Sequence, residues 1–591
     1  MVSAPGRAAG RIEEAAPWLP TLADALAEAL PRLLQERSEP RLAEVIRALT
    51  AALARGETEL PLAGEAPPEV DPRHWPEGHR TALAASALAA APDGPLVLDD
   101  DRLLWRRWWE RRQEVLANLI QRAHAIPENG QGDAAAESLP EPSEGPALDP
   151  DQRRAVEAVR RHHLVLLQGG PGTGKTSTVA RMLADRERWD PQARVHLAAP
   201  TGKAAARLRM ATGGRHPCTT LHRLLESRGN GFARNRQHPL CLDLLVVDEV
   251  SMVDLALMEA LLDALPERCR LVLVGDPAQL PPVAPGALLP ELQRPALRDA
   301  LGEAAITLRT VHRNDGAIAE VAGLLRQQIE AEAHGSGQGS GEATDPLLAL
   351  RERLRQLTPA DNLTWHESAM ESLPELLLEP LRQQQRRLAE LARACPPGAE
   401  ADGNAELPLL AERERLLVLG PRRRGRWGVE AIHRALLGER VLSDPRLWPV
   451  GTPALCTRNL PELGLANGDV GLVLDADPED GTRWLLFADG EAGSGSGAGS
   501  GPATRRLHPA QLAGSLEPAL ALTVHKAQGS EAESVIVLLP GGDHQDSRLL
   551  YTALTRARRR ALLIQATVDP EPSGEIEARR GAAKGSQGRP S

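Results

Sequence analysis

Short apolar runs broken by turns, alternating with stretches of helical periodicity, make up most of the 591-residue chain. Leu164-Val165-Leu166-Leu167 ends in a glycine-rich segment, and a helical pattern follows from Ser177 to Asp185, which predicts strand, loop and helix in succession. Val195 to Ala199, Leu244 to Val247 and Leu271 to Val274 are further apolar runs of strand length, each with a polar exit. Runs of this kind suit strands covered on both faces, as in an α/β sheet. The pattern returns at Leu416 to Leu419, Ser534 to Leu539 and Ala561 to Gln565. Between these, Trp448 to Leu512 carries short β-like runs with turns, Gly468 to Leu474 and Trp484 to Phe487, and reads as a small barrel inserted in a second α/β domain. The start of the chain reads as mostly helical. Leu19, Leu22, Leu26, Leu30, Leu33 and Leu34 recur near helical spacing, and Asp101 to Ala125 is a second amphipathic stretch.

These shifts divide the chain into a helical N-terminal domain (1–125), a Pro/Gly/Glu-rich linker (126–147) and a first α/β domain (148–303) with a small hairpin insertion near 226–239. A second α/β domain follows, in two parts (304–447 and 514–567) around the barrel insertion (448–513). The Gly/Ser/Arg-rich tail, 568–591, is expected to be disordered, and the tracts 334–342 and 493–501 to be surface loops. Trp105, Trp108 and Trp109 suit either a core or an interface, and the N-terminal domain either a structural or a partner-docking role.

Composition narrows the classes. Five cysteines without CxxC spacing predict no zinc site, iron–sulfur cluster or disulfide framework, as expected of a reducing cytoplasm. No apolar run approaches the roughly 20 residues of a membrane span, and no signal-peptide core is expected at the N-terminus. The net charge is -11, so nucleic acid would have to be held in a local basic channel on an acidic background.

The strongest chemical signal is Gly169-Gly170-Pro171-Gly172-Thr173-Gly174-Lys175-Thr176, followed by Ser177. It has the GxxxxGK[ST] spacing between a strand and a helix, so backbone N–H groups can curl around a β-phosphate and the helix dipole adds to the attraction. Lys175 would neutralise the β- and γ-phosphates and the Thr176 hydroxyl would hold Mg²⁺. About 70 residues on, Asp248-Glu249 closes an apolar strand. There Asp248 would hold the metal through water and Glu249 would polarise the attacking water.

Other stretches are weaker alone. Gln152, just inside a helix started by Asp149 and Pro150, suits an adenine edge but equally any exposed helix. Pro200-Thr201-Gly202-Lys203 is a phosphate-contact loop or an ordinary turn. His222 follows in a short apolar-polar stretch, Thr219 to Leu225. Gln279, in GDPAQLPPV, could sense a γ-phosphate, and Arg313 is a finger or a surface charge. The basic run Pro421 to Arg426 suits a phosphate backbone or a solvated loop. Late in the chain come TVHKAQGSE, with Thr523, His525, Lys526 and Ser530, and YTALTRAR, with Arg556.

Taken in order from Gln152 to Arg560, these stretches resemble the motifs of superfamily 1 helicases. GDPAQLPPV and TVHKAQGSE resemble the RecD branch, and residues 94–116 are similar to the RecD subunit of RecBCD-type complexes. The resemblance implies two RecA-like P-loop domains with an SH3-like insertion. It also implies ATP and Mg²⁺ as cofactors, 5′→3′ translocation on single-stranded or duplex-end DNA, and RecB-like and RecC-like partners that bring the nuclease. It assigns Lys175, Thr176, Asp248 and Glu249 to phosphate, metal and water. Gln279, Arg313 and Arg556 fall to the γ-phosphate, and Pro200, Thr201, Lys203, His222, Thr523, His525, Lys526 and Ser530 to DNA. No aromatic follows Gln279, where 3′→5′ relatives place a stacking ring.

Four rivals stand beside this reading. A stand-alone long-form RecD-like helicase would carry a longer N-terminal extension. A relaxase would need tyrosine nucleophiles, and Tyr551, inside a motif, is the single tyrosine. A nuclease would need a carboxylate constellation outside the nucleotide site, and none stands out. A purely structural subunit would not need the intact Lys175, Asp248, Glu249 and Arg556.

Overall fold

The computed structural model describes residues 19–37, 39–125, 147–229, 231–310, 316–333, 346–358, 360–369, 372–395, 406–442, 444–476, 481, 483–488, 504–539 and 546–567. Arg313, the linker before Ala147, both Gly/Ser tracts and the tail after Thr567 lie outside them. The chain divides into two units, with the change-over at Arg313/Asn314.

In the first unit, six parallel strands lie in the order 305–308, 164–169, 270–275, 244–247, 195–199, 218–220. The apolar runs are buried on both faces because successive side chains alternate. Leu164, Leu166, Leu245, Val247, Leu271 and Leu273 face one core, and Val165, Leu167, Leu244, Val246, Val272 and Val274 face the other. Helices Pro150–Arg161 and Lys175–Trp189 cover the second face.

The first face is covered by helix Leu255–Ala264 and by Arg106–His124, the last helix of the N-terminal region. Val115, Leu116, Leu119 and Ala123 pack into the sheet's core, and Trp108 packs against it. The buried guanidinium of Arg122 donates to the carbonyls of Leu265 (3.0 Å), Pro266 (3.2 Å) and Cys269 (3.1 Å), satisfying acceptors beyond a helix end. Of the three tryptophans Trp108 packs on this core and Trp105 on the separate core of residues 27–103, so it is the last helix of the N-terminal region that shares an interior with the P-loop sheet.

Ahead of that helix the expectation of an unbroken amphipathic stretch from Asp101 needs correcting. Leu96–Asp99 and Arg102–Trp105 form an antiparallel hairpin, extended by Glu59–Pro61 to three strands. Asp100, at φ 53°, makes the turn, and Leu103 and Leu104 are buried from it. The polar segment after Leu225 contains a short hairpin, Ser227–Arg228 with Gly231–Phe232.

The second unit holds a five-stranded parallel sheet ordered 363–369, 557–567, 532–539, 416–420, 522–523. A separate five-stranded antiparallel sheet runs 504–507, 483–488, 470–476, 453–456, 516–518 around Trp448 and Phe487. Its last strand leads directly back to the parallel sheet, so the insertion and the strand at Leu522 are covalently adjacent. Among the described residues no helix is long and apolar enough to cross a membrane, and no cluster of metal-ligating side chains stands apart.

Candidate nucleotide and DNA sites

The carboxyl ends of parallel strands collect loops, and ligands bind there. Four exits of the first sheet carry the candidate residues: Gly169 to Thr176, Pro200 to Lys203, Asp248-Glu249, and Asp276 to Gln279. Gly174 precedes the helix at φ +84°, and a Cβ there would stand 2.6 Å from the Gln152 amide nitrogen. Only glycine lets the loop turn while that amide lies against it.

Gln152 also closes a capping box. Its backbone N–H donates to Asp149 Oδ1 at 2.8 Å, and its side-chain oxygen accepts from the Asp149 N–H at 3.2 Å. The amide is thereby fixed, with its nitrogen on the phosphate loop. Thr173 Oγ1 donates to the Gly170 carbonyl at 2.8 Å, and Lys175 Nζ donates to the carbonyls of Gly169 (2.6 Å) and Gly170 (3.0 Å). Ser177 and Thr178 hydroxyls both return to the Gly174 carbonyl at 2.8 Å, and Thr176 lies in the first turn of the helix.

Asp248 and Glu249 are both buried. Glu249 sits at φ 52°, strained for a side-chain-bearing residue, and its N–H donates to Asp248 Oδ1 at 2.8 Å. Burial pushes the Asp248 carboxyl up to about 6, the Glu249 charge adds to this, and Arg207 and Lys175 oppose it. Arg207 Nη2 meets Glu249 Oε1 at 2.9 Å. Arg207 was missed from the sequence, although it lies one helical turn after Lys203, on the same face.

Gln279 is buried, and its side-chain oxygen has no hydrogen-bond partner among the described residues. This orphaned carbonyl follows the strand that lies between those carrying the glycine loop and the Asp/Glu pair, and as an acceptor it fits a hydrogen-bond donor such as water. A hydroxyl (Thr176) and a carboxylate (Asp248) are hard oxygen donors of the kind Mg²⁺ takes.

The remaining candidates occupy defined places. Thr201 caps helix Gly202–Ala211, its Oγ1 accepting from the Ala204 N–H at 3.3 Å, with Pro200 and Lys203 half-buried beside it. His222 is exposed and packs its ring 5.9 Å from Phe232 of the hairpin. In the second unit, Thr523 ends the edge strand, and its Oγ1 accepts from the Lys526 N–H at 3.4 Å. His525 is half-buried, and burial pushes its pKa down. Arg556 is buried, donating to the Thr552 carbonyl at 3.1 Å and the Ser530 carbonyl at 3.5 Å, so TVHKAQGSE and YTALTRAR meet through it.

The family described as an AAA domain matches residues 152–285, and the UvrD-like helicase C-terminal domain matches residues 518–564. The RecBCD enzyme subunit RecD of Mycolicibacterium smegmatis is 35% identical over 560 residues, covering 89% of this chain and 87% of that one. The RecBCD enzyme subunit RecD of Haemophilus influenzae is 29% identical over 453 residues, 69% of this chain and 67% of that one. The ATP-dependent RecD2 DNA helicase of Deinococcus radiodurans is 32% identical over 466 residues, 76% of this chain but 53% of that one. With its P-loop sheet, its paired carboxylates and these relatives, the chain belongs to the RecD family of ATP-dependent DNA helicases.

Proposed function

We propose that this chain is the 5′→3′ motor subunit of a RecBCD-type helicase–nuclease, acting on duplex ends in double-strand break repair and in degradation of linear DNA. The observation that carries the motor is the convergence of Lys175, Asp248, Glu249 and Arg207 at the carboxyl end of one parallel sheet. The subunit assignment draws on coverage: the chain spans most of the mycobacterial RecD but about half of the longer RecD2 relative.

In this reading residues 169–177 cradle the triphosphate of ATP and Gln152 contacts its base. Thr176 and Asp248 hold Mg²⁺, which supplies charge neutralisation on the phosphates when bound. Glu249 orients the attacking water, and Gln279, Arg313 and Arg556 report the γ-phosphate. Arg556 would have to exchange its carbonyl partners for phosphate, and two RecA-like domains (148–303, and 304–447 with 514–567) would turn hydrolysis into steps.

Pro200, Thr201, Lys203, His222, Thr523, His525, Lys526 and Ser530 hold single-stranded DNA by its backbone. Residues 448–513 form the SH3-like insertion, and residues 1–125 dock RecB-like and RecC-like subunits. The lack of an aromatic after Gln279 supports a backbone grip and the 5′→3′ direction.

The test is unwinding of duplexes with a 5′ or a 3′ single-stranded tail, by the chain alone and with the two partners, using Lys175→Gln as control. Opening from the 5′ tail that needs both partners and is lost in the variant supports the proposal. Opening from the 3′ tail by this motor contradicts the direction, and equal activity without partners contradicts the subunit role.

A further inference from the structure

Glu517 lies in the last strand of the antiparallel sheet, Leu516–Pro518, just before the chain returns to the parallel sheet. Its two carboxylate oxygens hold two cations from different segments. Oε1 meets Arg423 Nη2 at 2.9 Å, and Oε2 meets Lys526 Nζ at 2.9 Å. Arg423 belongs to the exposed run Arg422 to Arg426 that follows the strand at Leu416, and Lys526 follows the edge strand Leu522–Thr523. Those two strands are hydrogen-bonded neighbours, Leu419 opposite Leu522 and Gly420 opposite Thr523, so both cations leave the same corner of the parallel sheet.

A carboxylate bridging two cations presents two anionic oxygens on one central atom. A backbone phosphodiester presents the same arrangement with its non-bridging oxygens. All three side chains are between about a third and two-thirds exposed, so among the described residues their charged ends remain open to solvent. Arg423 keeps a second partner, Glu430 at 2.8 Å, on its Nε, which holds the guanidinium in place when Glu517 leaves. Lys526 is tethered through its backbone N–H to Thr523 Oγ1.

We propose that Arg423 and Lys526 form a backbone-phosphate subsite for single-stranded DNA, whose position is held in the free chain by the carboxylate of Glu517. The proposal deepens the helicase reading and rests on it. DNA enters by exchanging one anion for another, so the cations are never left unpaired and the hold stays weak enough to be released at every step. Glu517 thus sets the strength of the grip without touching the strand itself.

The experiment is fluorescence anisotropy of a labelled oligothymidylate with the full chain and its Glu517→Gln, Arg423→Gln and Lys526→Gln variants, singly and combined, at fixed salt. Glu517→Gln tightens binding about three- to tenfold, the range two part-exposed ion pairs allow. The gain disappears when Arg423 and Lys526 are both replaced by Gln. If Glu517→Gln disturbs the fold by circular dichroism, Glu517→Asp, too short to bridge both cations, shows the same gain. Unchanged or weaker binding in a folded Glu517 variant overturns the subsite, as does a gain that persists without both cations. A wild-type chain that binds no oligothymidylate overturns the DNA reading beneath it, a separate outcome.

Discussion

Arg207 is the perturbation from which most is learned about the nucleotide site. Its guanidinium forms an ion pair with Glu249 at 2.9 Å, and the Glu249 side chain is 9% exposed. Replacing Arg207 with Gln leaves two adjacent buried carboxylates, and Glu249 relaxes away from Asp248. Unit charges near 4 Å interact by about 4 kcal/mol at an effective dielectric of about 20. The Arg207 side chain is 33% exposed, and water screens part of this, leaving about 2 kcal/mol as the working figure. That corresponds to roughly thirtyfold in rate. The assay is steady-state ATP hydrolysis with saturating single-stranded DNA. The turnover number should fall by about that factor while KM for ATP changes little, because the phosphate loop is untouched. Arg207→Lys should recover part of the loss by restoring the charge. A turnover number within about twofold of wild type, in a variant as stable as wild type, would refute the reasoning.

Two further outcomes follow from the packing. Gly56 stands at φ +86°, a Cβ there would be 2.9 Å from the Val283 carbonyl oxygen, and the Gly286 N–H donates to its carbonyl at 3.3 Å. Gly56→Val should cost about 1–3 kcal/mol in urea unfolding and lower the stimulation of ATP hydrolysis by DNA, since the displaced loop follows Gln279; an unchanged midpoint would show that the contact contributes nothing. His433 is buried against the Ala521 carbonyl at 3.2 Å, and burial pushes its pKa down to about 4 from the ordinary 6.5. The unfolded chain takes up the proton first, so stability is lost as pH falls from about 6.5 towards 4, by up to about 3 kcal/mol. Thermal unfolding across that range should show a steeper loss for wild type than for His433→Gln, and parallel curves would contradict the assignment.

The parallel sheets were legible because a strand buried on both faces must be apolar at every position, as Leu164 to Leu167 and Leu244 to Val247 are. The phosphate loop was legible because its chemistry is local: spacing, glycines and a helix start lie in one segment. What escaped depends on partners distant in the chain. Arg207 looks like any arginine on an alanine-rich helix until Glu249 folds against it. The hairpin at 96–105 was hidden because Leu103, Leu104 and Trp108 also satisfy a helical spacing, and Asp100 marks the turn only through its backbone angle. Asp149 was legible as a helix start, but not the capping box it forms with Gln152, nor the closeness of that amide to Gly174, which depends on how helix Pro150–Arg161 packs. Glu517 carries no motif at all, and its two ion pairs require the antiparallel sheet to deliver it beside Arg423 and Lys526.

The most direct test of the central claim, that this chain steps 5′→3′ on single-stranded DNA using ATP, is displacement of streptavidin from biotinylated oligonucleotides. The full chain, assembled with its partners if these are needed, should strip streptavidin from a 3′-biotin end with ATP and magnesium and leave a 5′-biotin end untouched. Lys175→Gln in the same assembly should displace neither. Displacement from the 5′ end that depends on Lys175 would contradict the direction, and displacement from neither end by an assembly that hydrolyses ATP would contradict the motor.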